Sequence, residues 1–303
     1  MTVETIQLRV EASGLDIVPA IGGGIAAWWT GAGAARRDWL RPAMPAALTA
    51  GDPLGLGNFP LTPFSNRIRD GRFRFQGQAV ALQQNTREPH QLHGHGWQRP
   101  WSVVERSATR CVLAYDHGAC DQAADGWPFP YRAWQEFSLT EAGLDLVVAV
   151  ENRGERPMPA GLGQHFYFPR TPATTVTAGI ARMWANDTQV MPVELVEPPP
   201  EKDLRRGFRP DAVRTDNVFT GWDRRAVIDW PERRDRMVIE AEAPLDVLVC
   251  YAPDDPYVCV EPVSHITDAF NLADAGRTDT GMAVLQPGET LRGVIRLRPE
   301  VVG

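Results

Sequence analysis

Residues 144–152 (LDLVVAVEN) and residues 290–298 (TLRGVIRLR) decide the class of fold. In both stretches every second side chain is apolar, which is the period of a half-buried β-strand and not of a helix. Residues 72–82 (RFRFQGQAVAL) predict a hairpin that turns near residues 76–78, with Phe73 and Phe75 on one face. Further strands are predicted at residues 5–10, 15–29, 111–115, 131–139, 166–168, 226–230, 237–241, 247–251 and 257–262.

Helix signals are few. Only residues 267–275 predict a short helix, and no strand–helix–strand alternation, heptad or fixed repeat is present. The 27 glycines and 26 prolines favour many short strands joined by turns. We therefore expect an all-β protein, a large antiparallel β-sandwich with few short helices, formed by residues 1–303 as a single domain.

Composition excludes several classes of function. The net charge of −7 offers no basic surface for nucleic acid or an anionic membrane, and no apolar run reaches membrane-spanning length. The N-terminus shows no signal-peptide pattern, so we expect a cytoplasmic protein. The four cysteines lack zinc-finger spacing and are expected to be reduced, although Cys250 and Cys259 could face each other on neighbouring strands. No oligomeric state is predicted.

The first polar cluster is at residues 58–71 (NFPLTPFSNRIRDG). Asp70-Gly71 is a hairpin-turn signal, so residues 66–69 are predicted to form a strand with Arg67 and Arg69 on one face and Asn66 on the other. An arginine on a concave sheet can donate several hydrogen bonds to sugar hydroxyls. Taken alone, a solvated surface arginine or a structural ion pair is the more ordinary explanation.

The second cluster, residues 90–101 (HQLHGHGWQRPW), is rich in histidine. On a strand His93 and His95 would point the same way and could ligate a metal, but the first acid that follows is Glu105. A neutral imidazole that donates to a sugar beside an aromatic platform such as Trp97 fits the composition better.

A lone histidine and a lone glutamate mark two later strands. His165 follows a glycine-rich segment, and Phe166 or Phe168 could exclude water from its site. Glu261 shares a strand face with Cys259, where burial would raise its pKa and suit it to general-base chemistry, although a structural Glu–Arg pair is also common. A weaker feature is Asp216, which precedes Phe219 and Trp222.

In this order the clusters resemble the aldose 1-epimerase (galactose mutarotase) family over nearly the whole chain. The shared motifs are N-R-I at 66–68, L-H-G at 92–94, G-x-H-x-Y-F at 163–168, D-x-x-F at 216–219 and C-x-E-P at 259–262. Each motif is weak alone, but five in the family's order make a specific signal.

The resemblance implies a galactose mutarotase-like supersandwich with an open cleft, and an enzyme that interconverts the anomers of an aldose without a metal or organic cofactor. It implies that Glu261 is the general base and His165 the general acid. A carboxylate Glu261 and an imidazolium His165 are the expected starting states. By the same resemblance Arg67, His93 and Asp216 hold sugar hydroxyls. Asn66, Trp97 and Trp222 are further candidates for substrate binding.

Three alternatives remain open at this stage. One is a mutarotase for hexose 6-phosphates, in which Arg69, Arg72 or Arg99 binds the phosphate bidentately. Another is a carbohydrate-binding sandwich without activity, in which Glu261 would lie far from His165. The last is a cupin-like metal enzyme that uses His93 and His95.

Overall fold

The computed structural model describes residues 3–302, and most of its strands belong to two large antiparallel sheets. The strands are β1 Ile6–Val10, β2 Ser13–Val18, β3 Gly24–Thr30, β4 Arg37–Asp38, β5 Asn58–Leu61, β6 Arg67–Ile68, β7 Arg72–Phe75, β8 Gln78–Ala81, β9 Gln91–Leu92, β10 Ser102–Arg106, β11 Arg110–His117, β12 Tyr131–Thr140, β13 Gly143–Asn152, β14 Met158–Ala160, β15 Gly163–Pro169, β16 Thr175–Ala178, β17 Arg182–Asn186, β18 Pro192–Val196, β19 Thr215–Thr220, β20 Arg225–Trp230, β21 Asp235–Ala241, β22 Val247–Ala252, β23 Tyr257–Val263, β24 Ala283–Leu285 and β25 Thr290–Val301.

Three short α-helices occur within the described residues, namely α1 Pro45–Ala50, α2 Ala119–Asp125 and α3 Ala269–Asp274. The helix expected at residues 267–275 is α3, whereas α1 and α2 were not expected. Short 3₁₀ turns lie at Gly33–Ala35, Pro53–Gly55, Arg69–Gly71, Gly96–Gln98, Pro200–Lys202, Leu204–Arg206 and Pro231–Arg233. Within residues 3–302, none of the helices has the length and apolar character needed to cross a lipid bilayer.

The first sheet has eleven strands in the order β1-β2-β3-β5-β15-β23-β22-β19-β17-β18, with β4 paired to β3. The second has eight, in the order β10-β11-β12-β13-β25-β21-β20-β16. One continuous hydrophobic cluster contains inward-facing residues of both sheets, such as Phe166 and Phe168 of the first and Phe137 and Leu146 of the second. The predicted antiparallel β-sandwich is confirmed.

The two stretches that decided the fold class are β13 and β25, and they are hydrogen-bonded neighbours with Leu144 opposite Leu297. The predicted hairpin is β7–β8, and Phe73 and Phe75 are both buried. One local prediction was wrong. Residues 66–69 do not form one strand that enters a hairpin, because β6 pairs with β9 and residues 69–71 form a 3₁₀ turn. Cys250 and Cys259 are free thiols, as expected, and they lie on opposite sheet faces, since Tyr251, and not Cys250, is opposite Cys259.

A chain of buried amides links the two sheets through the apolar core. Asn58 Nδ2 donates to Gln164 Oε1 at 2.8 Å, and Gln164 Nε2 donates to Gln135 Oε1 at 2.9 Å. Gln135 Nε2 in turn donates to the Gly23 carbonyl at 3.0 Å. Because each amide bonds the next, five of the six amide nitrogen and oxygen atoms are buried with a partner, and Asn58 Oδ1 is the one that has none among residues 3–302. The chain anchors β15, which carries His165, to the opposite sheet.

Candidate active site

A cavity of about 790 Å³ lies on the face of the eleven-stranded sheet at β15, β23, β22 and β19. Residues 52–54 and 85–88 form part of its rim. Seven of the eight side chains predicted from the sequence line it: Asn66, Arg67, His93, Trp97, His165, Asp216 and Glu261. The eighth, Trp222, does not line this cavity. Its Nε1 donates to the Arg225 carbonyl, and its ring is buried within the hydrophobic cluster.

The pairing of β15 with β23 places His165 beside Glu261. Gly163 is opposite Val263 and Tyr167 is opposite Cys259, so the same register sets residue 165 next to residue 261. His165 Nε2 lies 3.3 Å from Glu261 Oε1. The side chains are 8% and 3% exposed. Two proton-transfer groups from separate parts of the chain therefore meet on one wall of the cavity.

Burial sets the charge of this pair. It lowers the pKa of His165 to about 3, and the nearby Arg41 guanidinium acts in the same direction. Burial also raises the pKa of Glu261 well above its usual value, with Asp216 adding to the rise. Both effects favour the neutral forms, a carboxylic acid and an imidazole, over the expected carboxylate and imidazolium. The two states contain the same single proton, which differs only in the atom that holds it.

Arg67 lies between two carboxylates at the cavity. Its Nε and Nη2 contact the two Glu88 oxygens at 2.8 and 3.2 Å, and its Nη1 lies 3.4 Å from Asp216 Oδ2. Burial opposes the charge of Arg67, but Asp216 and Glu88 outweigh it and raise its pKa. Burial raises the pKa of Asp216. The guanidinium is thus held rigidly, with its charge already balanced by protein groups.

Two hydrogen bonds hold Asn66 and His93 together. The Asn66 N–H donates to His93 Nδ1 at 2.9 Å, and the His93 N–H donates to the Asn66 carbonyl at 2.8 Å. Both residues have left-handed backbone conformations, with φ of 56° and 61°. Such strain in residues other than glycine is typical of functional sites. Because His93 Nδ1 accepts a hydrogen bond, its proton lies on Nε2, which makes Nε2–H the free donor of the ring.

Aromatic rings form much of the remaining surface. His165 stacks on Tyr167 with ring centroids 4.5 Å apart, and Tyr251 and Tyr257 line the same wall. The expectation that Phe166 or Phe168 borders the site was wrong. Both are fully buried in the core, because alternation along β15 turns them away from the face that presents His165 and Tyr167. Trp97 borders the cavity but is almost fully buried against Phe59.

The geometry does not support two of the alternatives that the sequence left open. None of Arg69, Arg72 and Arg99 lines the cavity, and Arg99 is bound instead to Asp125. His93 and His95 do not point the same way, because the left-handed backbone at His93 and Gly94 breaks the strand alternation that the prediction assumed. The His95 ring lies against His117, with centroids 5.2 Å apart. The His93–His95 pair therefore forms no metal site.

Sequence reasoning missed Glu88, which contacts Arg67, and Tyr167, which stacks on His165. Glu88 stands in an irregular polar segment, NTREPH, where no periodicity indicates a direction for its side chain. Tyr167 could have been found, because on a strand it shares a face with His165.

Comparisons with known proteins agree on one family. The family model described as aldose 1-epimerase matches residues 4–298. The uncharacterized Escherichia coli K12 protein YphB is 31% identical over 252 residues, which are 80% of this chain and 83% of that protein. A solved Escherichia coli K12 structure superimposes with a TM-score of 0.88 at 28% identity over 99% of both chains. A galactose mutarotase-like protein of Clostridium acetobutylicum has a TM-score of 0.86 at 21% identity, over 98% of this chain and 95% of that one.

Proposed function

This chain belongs to the aldose 1-epimerase family, and on that premise we propose that it interconverts the α and β anomers of a free aldose. The observation that carries the proposal is the contact of His165 Nε2 with Glu261 Oε1, at 3.3 Å on the wall of the cavity. A binding protein without activity has no need for two buried, mutually adjacent proton-transfer groups beside its ligand.

The chemistry needs one proton donor and one proton acceptor at a single carbon. The anomeric hydroxyl and the ring oxygen are both attached to C1, so two adjacent side chains can reach both. Glu261 as carboxylate takes the proton of the anomeric hydroxyl while His165 as imidazolium gives a proton to the ring oxygen. The bond from C1 to the ring oxygen breaks, and C1 becomes an aldehyde.

The open-chain sugar then faces a protonated Glu261 and a neutral His165, which are the charge states that burial favours. Rotation about the C1–C2 bond presents the other face of the aldehyde. His165 takes back the proton from the ring hydroxyl as that oxygen attacks C1, and Glu261 returns a proton to the new anomeric oxygen. No proton is gained or lost over the cycle. A positioned acid or base typically contributes about 10²–10⁴-fold each.

The remaining polar groups suit the hydroxyls of a neutral sugar. We propose that His93 Nε2–H donates, that Asp216 accepts, and that Arg67 donates from a guanidinium fixed by Glu88. Asn66 contributes by fixing His93, and Trp97 by packing against Phe59 beneath the cavity.

A free sugar fits the cavity better than a phosphorylated one. The lining contains four acidic side chains, Asp52, Glu88, Asp216 and Glu261, and two arginines, Arg67 and Arg87. Arg67 is already paired with Glu88 and Asp216, so binding a dianionic phosphate would require the protein to give up an existing ion pair.

The number of domains and the cellular location of the protein can also be inferred. We infer one domain, because a single hydrophobic cluster includes residues from Ile6 to Leu297. We also infer a cytoplasmic protein, which the four free thiols support.

The experiment is an anomer-exchange assay. Freshly dissolved α-aldoses, with glucose and galactose as first probes, are followed by polarimetry or by NMR exchange with and without the protein, beside their 6-phosphates. We expect at least one free aldose to equilibrate faster than in buffer, and each 6-phosphate to show a kcat/KM at least about tenfold lower, which corresponds to about 1.4 kcal/mol. Equilibration at the buffer rate for every aldose would refute the proposed activity, and faster turnover of a 6-phosphate would refute the substrate class.

A further inference from the structure

A second cluster of metal-binding residue types lies outside the cavity. His95 follows the turn that carries His93, His117 ends β11, and Asp125 ends α2. One ligand atom from each lies within 4.8 Å of the others. None of the three lines the cavity, so the proposed activity does not use them.

Several polar atoms of this cluster are buried without a hydrogen-bond partner among residues 3–302. They are His95 Nε2, His117 Nδ1, His117 Nε2 and Asp125 Oδ2. His95 and His117 are only 3% and 2% exposed. His117 Nε2 and Asp125 Oδ2 are 3.6 Å apart, which is too long for a hydrogen bond. Burying such groups unpaired is costly, so their convergence calls for a ligand that satisfies them together.

The other contacts of His95 and Asp125 leave one ligand atom of each free. His95 Nδ1 lies 3.4 Å from the Tyr131 hydroxyl, and Arg99 is bound to Asp125 Oδ1. These partners occupy the outer atoms, so that His95 Nε2 and Asp125 Oδ2 are the atoms left free. Hydrogen bonds to the far side of metal ligands are the usual means by which proteins orient them.

We propose that His95, His117 and Asp125 bind one zinc ion. Two imidazole nitrogens and a carboxylate oxygen suit zinc, whereas calcium and magnesium prefer oxygen ligands throughout. Tetrahedral zinc with bonds of about 2.0–2.1 Å holds its ligand atoms about 3.4 Å apart. Because the three atoms already lie within 4.8 Å of one another, no pair must approach by more than about 1.4 Å. The fourth position takes a water molecule.

The ion would tie together three segments, namely the turn after His93, the end of β11 and the end of α2. His95 is two residues beyond His93 and its N–H donates to the Thr62 carbonyl. Zinc at His95 would hold the backbone of the turn on which the His93 ring depends. The site has a structural role in this proposal, contrary to the expectation of a metal-free protein.

The test is zinc binding by the full-length protein and four variants. The ligand variants are H117Q and D125N. The controls are H90Q, which removes a buried histidine outside the cluster, and E261Q. The E261Q control is needed because His165, Cys259 and Glu261 also have ligand atoms within 4.8 Å of one another. Bound zinc is measured by mass spectrometry, and affinity by competition with a chromophoric chelator.

We expect one zinc per chain in the wild type, H90Q and E261Q, and at least about a hundredfold weaker binding in H117Q and D125N. Zinc should raise the midpoint of thermal unfolding of the wild type, and excess chelator should reverse that rise. Cobalt bound to the wild type should give the visible absorption of a four-coordinate ion, which tests the site even if a variant fails to fold. Absence of stoichiometric zinc in the wild type, or zinc lost in E261Q but kept in H117Q, would overturn the proposal.

Discussion

Replacing Glu261 with glutamine removes the exchangeable proton of the proposed acid–base pair and changes little else. The glutamine side chain has the same size, and its amide oxygen can still accept from His165 Nε2 at the observed 3.3 Å. The amide cannot take or return the anomeric proton. We expect kcat to fall by about 10²–10⁴-fold, the range for one positioned acid–base group, or about 2.7–5.4 kcal/mol in the activation barrier.

The same substitution should leave the fold intact or make it more stable. Burial raises the pKa of Glu261. When the pH is above the pKa of an exposed glutamate, the unfolded chain ionises this group freely, whereas the folded protein must either keep it neutral or ionise it in the core. This difference lowers the free energy of unfolding. E261Q removes that cost. Its free energy of unfolding in urea at neutral pH should therefore equal or exceed that of the wild type, as is common when a functional group is removed.

The assay is NMR exchange on the best aldose of the probe panel, with circular dichroism to confirm folding. E300Q is the matched control, because Glu300 lies on β25 and its side chain is half exposed. E300Q should retain wild-type rates. A folded E261Q with activity within about threefold of the wild type would remove Glu261 from the mechanism, since that corresponds to only about 0.6 kcal/mol.

The same geometry predicts how the rate depends on pH. We expect kcat/KM to stay level between about pH 7.5 and 5.5, because the pKa of His165 is lowered to about 3 and that of Glu261 is raised, so that the pair keeps its one shared proton across this range. A tenfold loss toward pH 5.5 would show that His165 titrates like an exposed histidine. E88Q should raise KM by up to about fivefold with kcat unchanged, because the half-exposed Glu88 positions Arg67 without touching the reacting carbon. A large drop in kcat at constant KM would contradict that role. Q164L should lower the free energy of unfolding in urea by about 1–3 kcal/mol, because it leaves buried groups of Asn58 and Gln135 unpaired. Unchanged stability would show that the amide chain does not contribute to the free energy of unfolding.

The fold was predictable because its signal is local. A strand that buries one face shows its period over nine residues, and β13 and β25 were each found in that way before their pairing was known. The helices α1 and α2 are only six and seven residues long, too short to show a helical period. The equally short α3 was predicted from the start signal at Thr267 or Asp268.

The candidate site was less accessible to this reasoning. His165 and Glu261 stood out as single residues, but only the register of β15 against β23 brings them together, and the family resemblance supplied what spacing did not. The alternative in which His93 and His95 share one direction required a strand, and a left-handed backbone stands there instead. Glu88 and His95 lie outside the strands, where the sequence carries no period that indicates the direction of a side chain. Only the folded chain brings His95 together with His117 at the end of β11 and Asp125 at the end of α2.

The amides of Asn58, Gln164 and Gln135 help to fix the register in which β15 pairs with its neighbours when the protein folds. If β15 shifted by one residue against its neighbours, His165 would enter the core and Gln164 would face the sugar. Apolar packing alone discriminates weakly against such a slip, because Phe166 and Tyr167 could exchange places. The amides discriminate strongly, because only the correct alignment lets Gln164 reach both partners at 2.8 and 2.9 Å. Asn58, Gln164 and Gln135 do not line the cavity, yet they fix the register of β15, the strand that carries His165.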